Sequence, residues 1–241
     1  MSKLLILGGT EEARELAERL DERGADFTVS LAGRTSADYP GTVRRGGFGG
    51  EEALTAYLKA EEVEVLVDAS HPFAATISPA AKRAARAAGV RYFRLERPPW
   101  RRALGDRWID VRTLEEAAER IDEGSRVFLT VGAGGLAPFL ARRDLELVAR
   151  TIEVPDLGSR KDVVVIRERG PFDIEHERAI FDRFRFDAMV TKNAGGEATA
   201  AKLVAARERR LVVYMVQRPR GQPHANARDV DTMMRRLRHY L

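Results

Sequence analysis

The chain contains no cysteine, which excludes disulfide bonds, thiolate nucleophiles and metal sites built on sulfur. It also lacks long apolar runs: no segment approaches the roughly 18 residues that a membrane-spanning helix requires. Its four histidines never share the spacing of metal ligands, so we expect no metal site. These absences, and a first strand that starts within three residues, predict a cytoplasmic protein without a membrane partner.

The composition is that of a globular protein, with 44% hydrophobic and 32% charged residues over 241 positions. That length is enough for one large or two small domains. The net charge is +4, carried mainly by arginine, and fits either nucleic acid or a pocket for a polyanionic small molecule. No dense basic run with interleaved aromatics is present, so we favour the small molecule and expect no nucleic acid.

Strand-like and helix-like segments alternate along almost the whole chain, which is typical of an α/β fold with parallel sheets. The first half predicts strands at 3–7, 26–32, 64–67 and 90–95, helices at 11–23, 51–61 and 78–88, and a glycine-rich loop up to residue 50. The second half predicts helices at 114–121, 136–141, 174–184 and 197–207, strands at 126–130, 145–150, 162–166, 188–191 and 211–216, and a surface helix at 230–240.

Between the halves lies a break at 97–102, where two prolines forbid both a continuing helix and a central strand. The alternation restarts at about residue 103. We therefore predict two Rossmann-like lobes, residues 1–100 and 101–241, with a cleft between them.

Residues 68–75 (DASHPFAA) form the most informative segment, because they place polar side chains at the carboxyl end of a predicted buried strand. Ligands bind at that edge of open α/β sheets. Ser70 and Pro72 satisfy the needs of a strand-to-helix connection. His71 and Phe73 exceed those needs, which makes the segment a candidate site.

A glycine turn follows the first strand, where Gly8, Gly9 and Thr10 precede a helix. Glycines let the backbone approach a phosphate, and a helix N-terminus offers free N–H groups. Thr10 stands where the dinucleotide fingerprint has its second glycine, and Ala13 fills the third position. An ordinary turn with a threonine cap also fits these residues.

The end of the second strand bears on which nucleotide such a turn would hold. NAD-binding folds place an acid there, whereas NADP-binding folds use a nearby arginine. This chain has Ser30 and Arg34 and no acid, so we favour NADP, although Arg34 also fits a solvated loop. Gly47 and Phe48 lie in a loop with three further glycines, where the backbone either passes close to a ligand or is mobile.

In the second half, two more strand ends lead into glycines, at 130–135 and 191–196. Lys192 and Asn193 before a helix suit recognition of a carboxylate or phosphate. A plain turn with a solvated lysine is the alternative.

Together these segments resemble the precorrin-6A reductase family of cobalamin biosynthesis. The resemblance rests on LILGGTEEARELA, VSLAGR, DASHPFAATIS, RLERPPW, RERGPF and VTKNAGG, in this order, from Leu4 to about Pro219. It implies NADPH-dependent reduction of a ring double bond in precorrin-6A or its cobalt form, giving precorrin-6B. Hydride goes to one macrocycle carbon and a proton to its neighbour.

The resemblance also implies roles for particular residues, since the macrocycle carries many acetates and propionates. The expected cofactor contacts are Gly8, Gly9, Thr10, Ser30, Arg34, Gly47 and Phe48. The expected substrate contacts are Ser70, His71, Phe73, Arg94, Arg97, Lys192, Asn193 and Arg218. His71 is the candidate catalytic proton donor, with water as the alternative donor.

Two departures stand out: similar sequences often have Gly-Arg and then an acid or amide where this chain reads Gly132 to Gly135, and serine where it has Ala194. Two other functions remain open. One is a cofactor-free tetrapyrrole enzyme such as a uroporphyrinogen synthase-like cyclase. The other is a non-catalytic nucleotide or nucleic-acid binder. A monomer and a small homo-oligomer are both compatible with the sequence.

Overall fold

The computed structural model describes residues 2–32 and 38–241, and strands alternate with helices along these ranges. In chain order the elements are β1 (Leu4–Leu7), α1 (Glu11–Asp21), β2 (Phe27–Leu31), β3 (Thr42–Arg45), α2 (Glu51–Ala60), β4 (Val65–Asp68), α3 (Ile77–Ala88), β5 (Arg91–Arg94), β6 (Arg107–Val111), α4 (Leu114–Arg120), β7 (Arg126–Thr130), α5 (Ala137–Leu140), β8 (Glu146–Thr151), β9 (Val164–Arg167), α6 (Ile174–Phe184), β10 (Ala188–Lys192), α7 (Ala201–Glu208), β11 (Val212–Val216) and α8 (Val230–Leu237).

The first sheet has the order β3-β2-β1-β4-β5, and its strands are all parallel. Successive residues of a strand point to opposite faces of the sheet. In β1, Leu4 and Ile6 pack with α1 and α8 on one face, and Leu5 and Leu7 pack with α2 and α3 on the other. Both faces are covered, which is why these strands consist of continuous apolar residues.

The second sheet has the order β6-β11-β10-β7-β8-β9 and is also entirely parallel. On one face, Phe128 of β7 and Met189 of β10 pack with Phe181 of α6 and Leu203 of α7. The α/β class predicted from the alternation, with two parallel sheets, is confirmed.

The chain divides into two compact units, but not at the residues that the sequence predicts. One unit combines everything up to Pro98 with Pro219–Leu241, and the other is Pro99–Arg218. The last segment therefore belongs to the first unit rather than to the second lobe. Helix α8 is also more than a surface helix, because Met233 and Leu237 are buried in the core beside α1.

Two strands were absent from the sequence prediction. β3 lies inside the expected glycine-rich loop, and β6 follows directly after the proline break. Each forms an edge of its sheet and carries one exposed arginine, Arg45 in β3 and Arg107 in β6. Charged edge strands lack the continuous apolar pattern of central strands, so composition alone hides them.

None of the helices in these ranges combines the length and the apolarity that crossing a membrane would demand. Within the same ranges, no three His, Asp or Glu side chains gather closely enough to hold a metal ion.

Candidate active site

Each sheet has one point at which the strand order reverses. In the first sheet this switch point lies between β1 and β4, and in the second between β7 and β10. Ligands of open α/β folds bind at the carboxyl ends of the strands beside such a point. The glycine turn at 8–10 and the segment 68–75 share the first switch point, and the glycines at 132–135 and Lys192 share the second.

The glycine turn packs tightly against β2. A Cβ on Gly8 would lie 2.9 Å from Val29 Cγ1 and 3.1 Å from Leu31 Cδ2, so only glycine fits there. Gly9 has φ of +109° and open space at the position of a Cβ. Its N–H donates to the hydroxyl of Tyr39 (3.1 Å), a contact that the sequence did not reveal. The turn therefore presents bare backbone on the side where Gly9 is open.

Thr10 caps α1, as the alternative interpretation of this turn expected. Its Oγ1 accepts from the N–H of Ala13 (3.1 Å) and donates to the carbonyl of Ala69 (2.8 Å). The hydroxyl hydrogen is thus used within the protein. In this arrangement Thr10 therefore does not donate its hydroxyl to a phosphate. Instead, Thr10 joins the two turns that flank the switch point, and the first N–H groups of α1 remain in front of it.

Arg44, on β3, organises the second glycine-rich loop. Its guanidinium donates to the carbonyls of Gly46 and Gly47 and to Ser30 Oγ, and lies 3.9 Å from the centre of the Phe48 ring. No carboxylate pairs with Arg44 in the described ranges. Arg44 was not among the predicted contacts because β3 was not predicted.

Of the expected cofactor contacts, Ser30, Gly47 and Phe48 are therefore gathered around one arginine at the carboxyl ends of β2 and β3. Arg34 falls outside the described residues.

Asp68 is the centre of a buried polar network at the end of β4. One carboxylate oxygen accepts from the N–H (3.1 Å) and Oγ (2.6 Å) of Ser70, and the other from Tyr92 Oη (2.9 Å) and Arg94 Nη1 (2.6 Å). Burial, followed by the neighbouring Asp68 carboxylate, raises the pKa of Tyr92. The network fixes the start of the segment that carries His71.

The structure corrects the role of Arg94. Its side chain is 0% exposed and pairs with Asp68 and Glu96, so it is not placed to hold a substrate carboxylate. Ser70 is likewise buried, and its Oγ bonds Ser78 Oγ (3.1 Å) in addition to Asp68. Both residues support the turn rather than form its outer surface.

His71 and Phe73 lie side by side in this turn and are both half-buried, with ring centres 5.9 Å apart. The N–H of Phe73 donates to Nδ1 of His71 (3.2 Å). A ring nitrogen that accepts cannot carry the hydrogen, so the neutral imidazole holds its proton on Nε2.

Arg97 was also expected to hold a carboxylate, and the structure supplies one from the protein. Its Nη1 donates to both carboxylate oxygens of Glu12 (2.9 and 2.6 Å) in the first turn of α1. Glu12 therefore already supplies a carboxylate partner to this guanidinium.

In the second unit, Lys192 spans the switch point. Its Nζ donates to the carbonyl of Val131 (2.8 Å), which joins the ends of β10 and β7. Burial lowers the pKa of Lys192. The loop 132–135, which lacks the arginine of similar sequences, begins directly after this carbonyl.

Asn193 does not offer its side chain to a ligand. Its amide is bonded to the backbone of Trp100 through both Oδ1 (2.8 Å) and Nδ2 (3.3 Å). Arg218, another expected carboxylate contact, donates to the carbonyls of Asn193 and Ala194 (3.0 Å each). The predicted substrate contact of Asn193 is therefore corrected to a structural role, and Arg218 holds the same loop through its two bonds.

Comparison with known proteins identifies the family of the chain. The chain matches the family model described as "Precorrin-6x reductase CbiJ/CobK" over residues 3–238. The chain belongs to this family. The resemblance drawn from the six sequence segments is confirmed.

Relatives within the family match over nearly their whole length. A precorrin-6A reductase of Rhodococcus erythropolis is 41% identical over 233 residues, which cover 95% of this chain and 94% of the relative. A cobalt-precorrin-6A reductase of Priestia megaterium is 33% identical over 234 residues, covering 90% and 91%. The solved structure of a CobK precorrin-6A reductase matches with a TM-score of 0.93 and 36% identity, over 100% of this chain and 97% of that one.

Proposed function

We propose that the protein reduces a ring double bond of precorrin-6A with NADPH as the reductant. The reaction follows from membership of the family. The metal-free substrate is favoured over its cobalt form because relatives named for precorrin-6A share 38–42% identity with this chain. Those named for cobalt-precorrin-6A share 30–33%.

The proposal that a nucleotide binds rests on the glycine turn at the first switch point. Gly8 allows the turn to approach β2 closely, and Gly9 leaves backbone open in front of the N-terminus of α1. A pyrophosphate suits such a place because N–H groups and the helix dipole favour negative charge. When bound, NADPH supplies the hydride for the reduction.

The choice of NADPH over NADH rests on two arginines near the ends of β2 and β3. Arg44 has no acidic partner in the described ranges, and residues 30–35 at the end of β2 include no acid. A 2′-phosphate would balance this uncompensated charge. Arg34 follows β2 and is proposed as the second contact, as the sequence suggests.

For the substrate, we propose Lys192, His71 and Phe73 as direct contacts. Lys192 provides a partly desolvated cation for a carboxylate, and an ion pair is stronger where water is excluded. Phe73 offers an aromatic surface to a macrocycle. Ser70 and Arg94 do not contact the substrate and stabilise this turn through their bonds to Asp68.

His71 is proposed to shape the pocket, with its Nε2–H as a donor to the substrate, while water protonates the neighbouring carbon. The His71→Ala variant is then expected to raise KM and to leave the single-turnover rate almost unchanged. A large loss of single-turnover rate at saturating substrate would instead make His71 the proton donor.

The cofactor assignment is tested by titrating the protein with NADPH and NADH in a calorimeter. We expect NADPH to bind at least tenfold more tightly, about the value of one charge-assisted contact. Arg34→Ala should reduce this preference. Arg44→Ala should weaken both nucleotides, because it also releases the carbonyls of Gly46 and Gly47.

Arg91→Ala serves as the matched control, since Arg91 is exposed at the amino end of β5, the opposite edge of the same sheet. Equal affinity for NADH and NADPH would refute the choice of cofactor. Absence of any nucleotide binding would favour the cyclase alternative. Nucleotide binding without turnover of a tetrapyrrole would favour the non-catalytic sensor.

A further inference from the structure

Asn193, which directly follows Lys192, uses every polar group that it has. Its N–H donates to the carbonyl of Val216 (2.8 Å), and its own carbonyl accepts from Arg218 Nε (3.0 Å). Its side-chain oxygen accepts from the N–H of Trp100 (2.8 Å), and its side-chain nitrogen donates to the carbonyl of Trp100 (3.3 Å). The residue is 6% exposed. A buried amide whose oxygen and nitrogen both have partners has one defined orientation.

The partners of Asn193 occupy special places in the chain. The second unit runs from Pro99 to Arg218, so Trp100 and Arg218 lie at the two points where the chain crosses between units. Asn193 is bonded to both. The two crossing points are 118 residues apart in sequence, as the numbers of Trp100 and Arg218 give, yet one side chain and one backbone carbonyl hold them together.

Further contacts attach the same crossing points to the loop 193–196. The indole N–H of Trp100 donates to the carbonyl of Gly196 (2.8 Å), and Arg218 Nη2 donates to the carbonyl of Ala194 (3.0 Å). The ammonium of Lys202, at the start of α7, lies 4.7 Å from the centre of the Trp100 ring. The Trp100 ring is thus held between the loop and the helix that follows it.

The loop would have little conformational definition of its own. Gly195 and Gly196 both have positive φ, at +71° and +87°, a region that glycine enters and leaves at little cost. Lys192 is the last residue of β10, directly before this loop, and its ammonium donates to the carbonyl of Val131 at the second switch point. The bonds to Trp100 and Arg218 hold this loop, together with the backbone bond from the N–H of Asn193 to Val216.

We propose that Asn193 is a positioning residue that fastens both crossing points of the chain to the loop presenting Lys192. Because Trp100 is bonded to this loop, we expect its surroundings to change when a ligand binds at Lys192. This inference rests on the proposed function in one respect, the assignment of substrate to Lys192.

The test uses the full chain labelled with 5-fluorotryptophan. The chain has two tryptophans, Trp100 and Trp108. The two ¹⁹F signals are assigned with the Trp108→Phe variant. Precorrin-6A is added under anaerobic conditions without reductant. We expect the Trp100 signal to shift on binding and the Trp108 signal to stay in place. The ¹⁹F readout avoids the light absorption of the tetrapyrrole, which would disturb fluorescence.

In Asn193→Ala we expect the substrate-induced shift of Trp100 to be lost and KM for the tetrapyrrole to rise tenfold or more, with kcat changed less than threefold. Asn193→Asp keeps the acceptor for the N–H of Trp100 and loses the donor, so it should lie between Ala and wild type. It also serves if the alanine variant does not fold.

Asn226→Ala is the matched control, because Asn226 is the chain's other asparagine and also bonds a backbone N–H, that of Arg94 (2.8 Å). It should lose comparable thermal stability and retain the shift of Trp100. Lys192→Gln separates the inference from the proposed function. Normal substrate binding in Lys192→Gln would refute the assignment of Lys192. Weakened binding there, with KM and the Trp100 shift unchanged in Asn193→Ala, would refute the role of Asn193.

Discussion

Replacing Asp68 by asparagine tests the buried network that holds the His71 turn. The new amide keeps one oxygen for Ser70, but its NH₂ faces Arg94 and Tyr92, which both donate to Asp68 in the wild type. Asp68 and Arg94 are each 0% exposed. Removing one partner of a buried ion pair costs about 3–5 kcal/mol because the other charge stays behind.

The expected loss from Asp68→Asn lies near the lower end of that range, about 3 kcal/mol, because Glu96 still pairs with Arg94. For a chain of this size such a loss lowers Tm by roughly 6–12 °C. Thermal unfolding followed by circular dichroism measures the shift. Hydrogen exchange in peptides covering β4 and β5 locates it, which matters because both tryptophans lie in the other unit.

The matched control is Asp231→Asn, which makes the same substitution in an exposed ion pair with Arg19. Exposed pairs contribute little because water screens them, so this variant should unfold close to wild type. If Asp68→Asn loses no more stability than Asp231→Asn, the buried network does not support the turn as we argue.

Two further predictions concern the glycine turn and Lys192. Gly8→Ala should lower Tm and weaken NADPH binding, because the new Cβ would lie 2.9 Å from Val29 Cγ1. Gly47→Ala is the control and should keep the wild-type Tm, because no atom lies within 4 Å of its Cβ. Equal Tm values for the two variants in calorimetry would contradict the close packing at Gly8. Burial lowers the pKa of Lys192 below its ordinary 10.5. Below the lowered pKa, burying the charged ammonium reduces the free energy of unfolding, and this loss is relieved as the pH rises from the lowered pKa towards 10.5. The charge that binds a carboxylate is lost over the same window, so KM for the tetrapyrrole should rise at alkaline pH in wild type and stay flat there in Lys192→Gln; parallel pH profiles would contradict this role.

The sequence predicted the elements whose signals are local. β1 and β4 are apolar runs, and Gly8 and Thr10 mark the turn after β1, so their place at a sheet edge followed from spacing. That both turns share one switch point was not predicted and comes from the strand order, in which β1 lies beside β4.

The sequence did not predict contacts between distant residues. Asp68 and Arg94 become neighbours through the register of β4 with β5, and Asn193 meets Trp100 across 93 positions. In the sequence, an arginine or asparagine that binds a ligand cannot be distinguished from one that bonds another part of the protein. Arg94, Arg97 and Asn193 were therefore assigned to substrate, although the chain itself supplies their partners.

That the C-terminal segment, Pro219–Leu241, belongs to the first unit could not be predicted for the same reason. The amphipathic pattern of α8 predicts that it packs on something, but not on which unit. Its apolar face meets α1 in the first unit.

The central claim is that this chain reduces precorrin-6A with a hydride from NADPH. The most direct test is an anaerobic reaction of the purified protein with enzymatically prepared precorrin-6A and NADPH deuterated at the hydride position, followed by mass spectrometry of the product. The account predicts a product heavier by one deuterium and one hydrogen, formed in step with the oxidation of NADPH. A product without deuterium, or no reduced tetrapyrrole although NADPH binds, would contradict it.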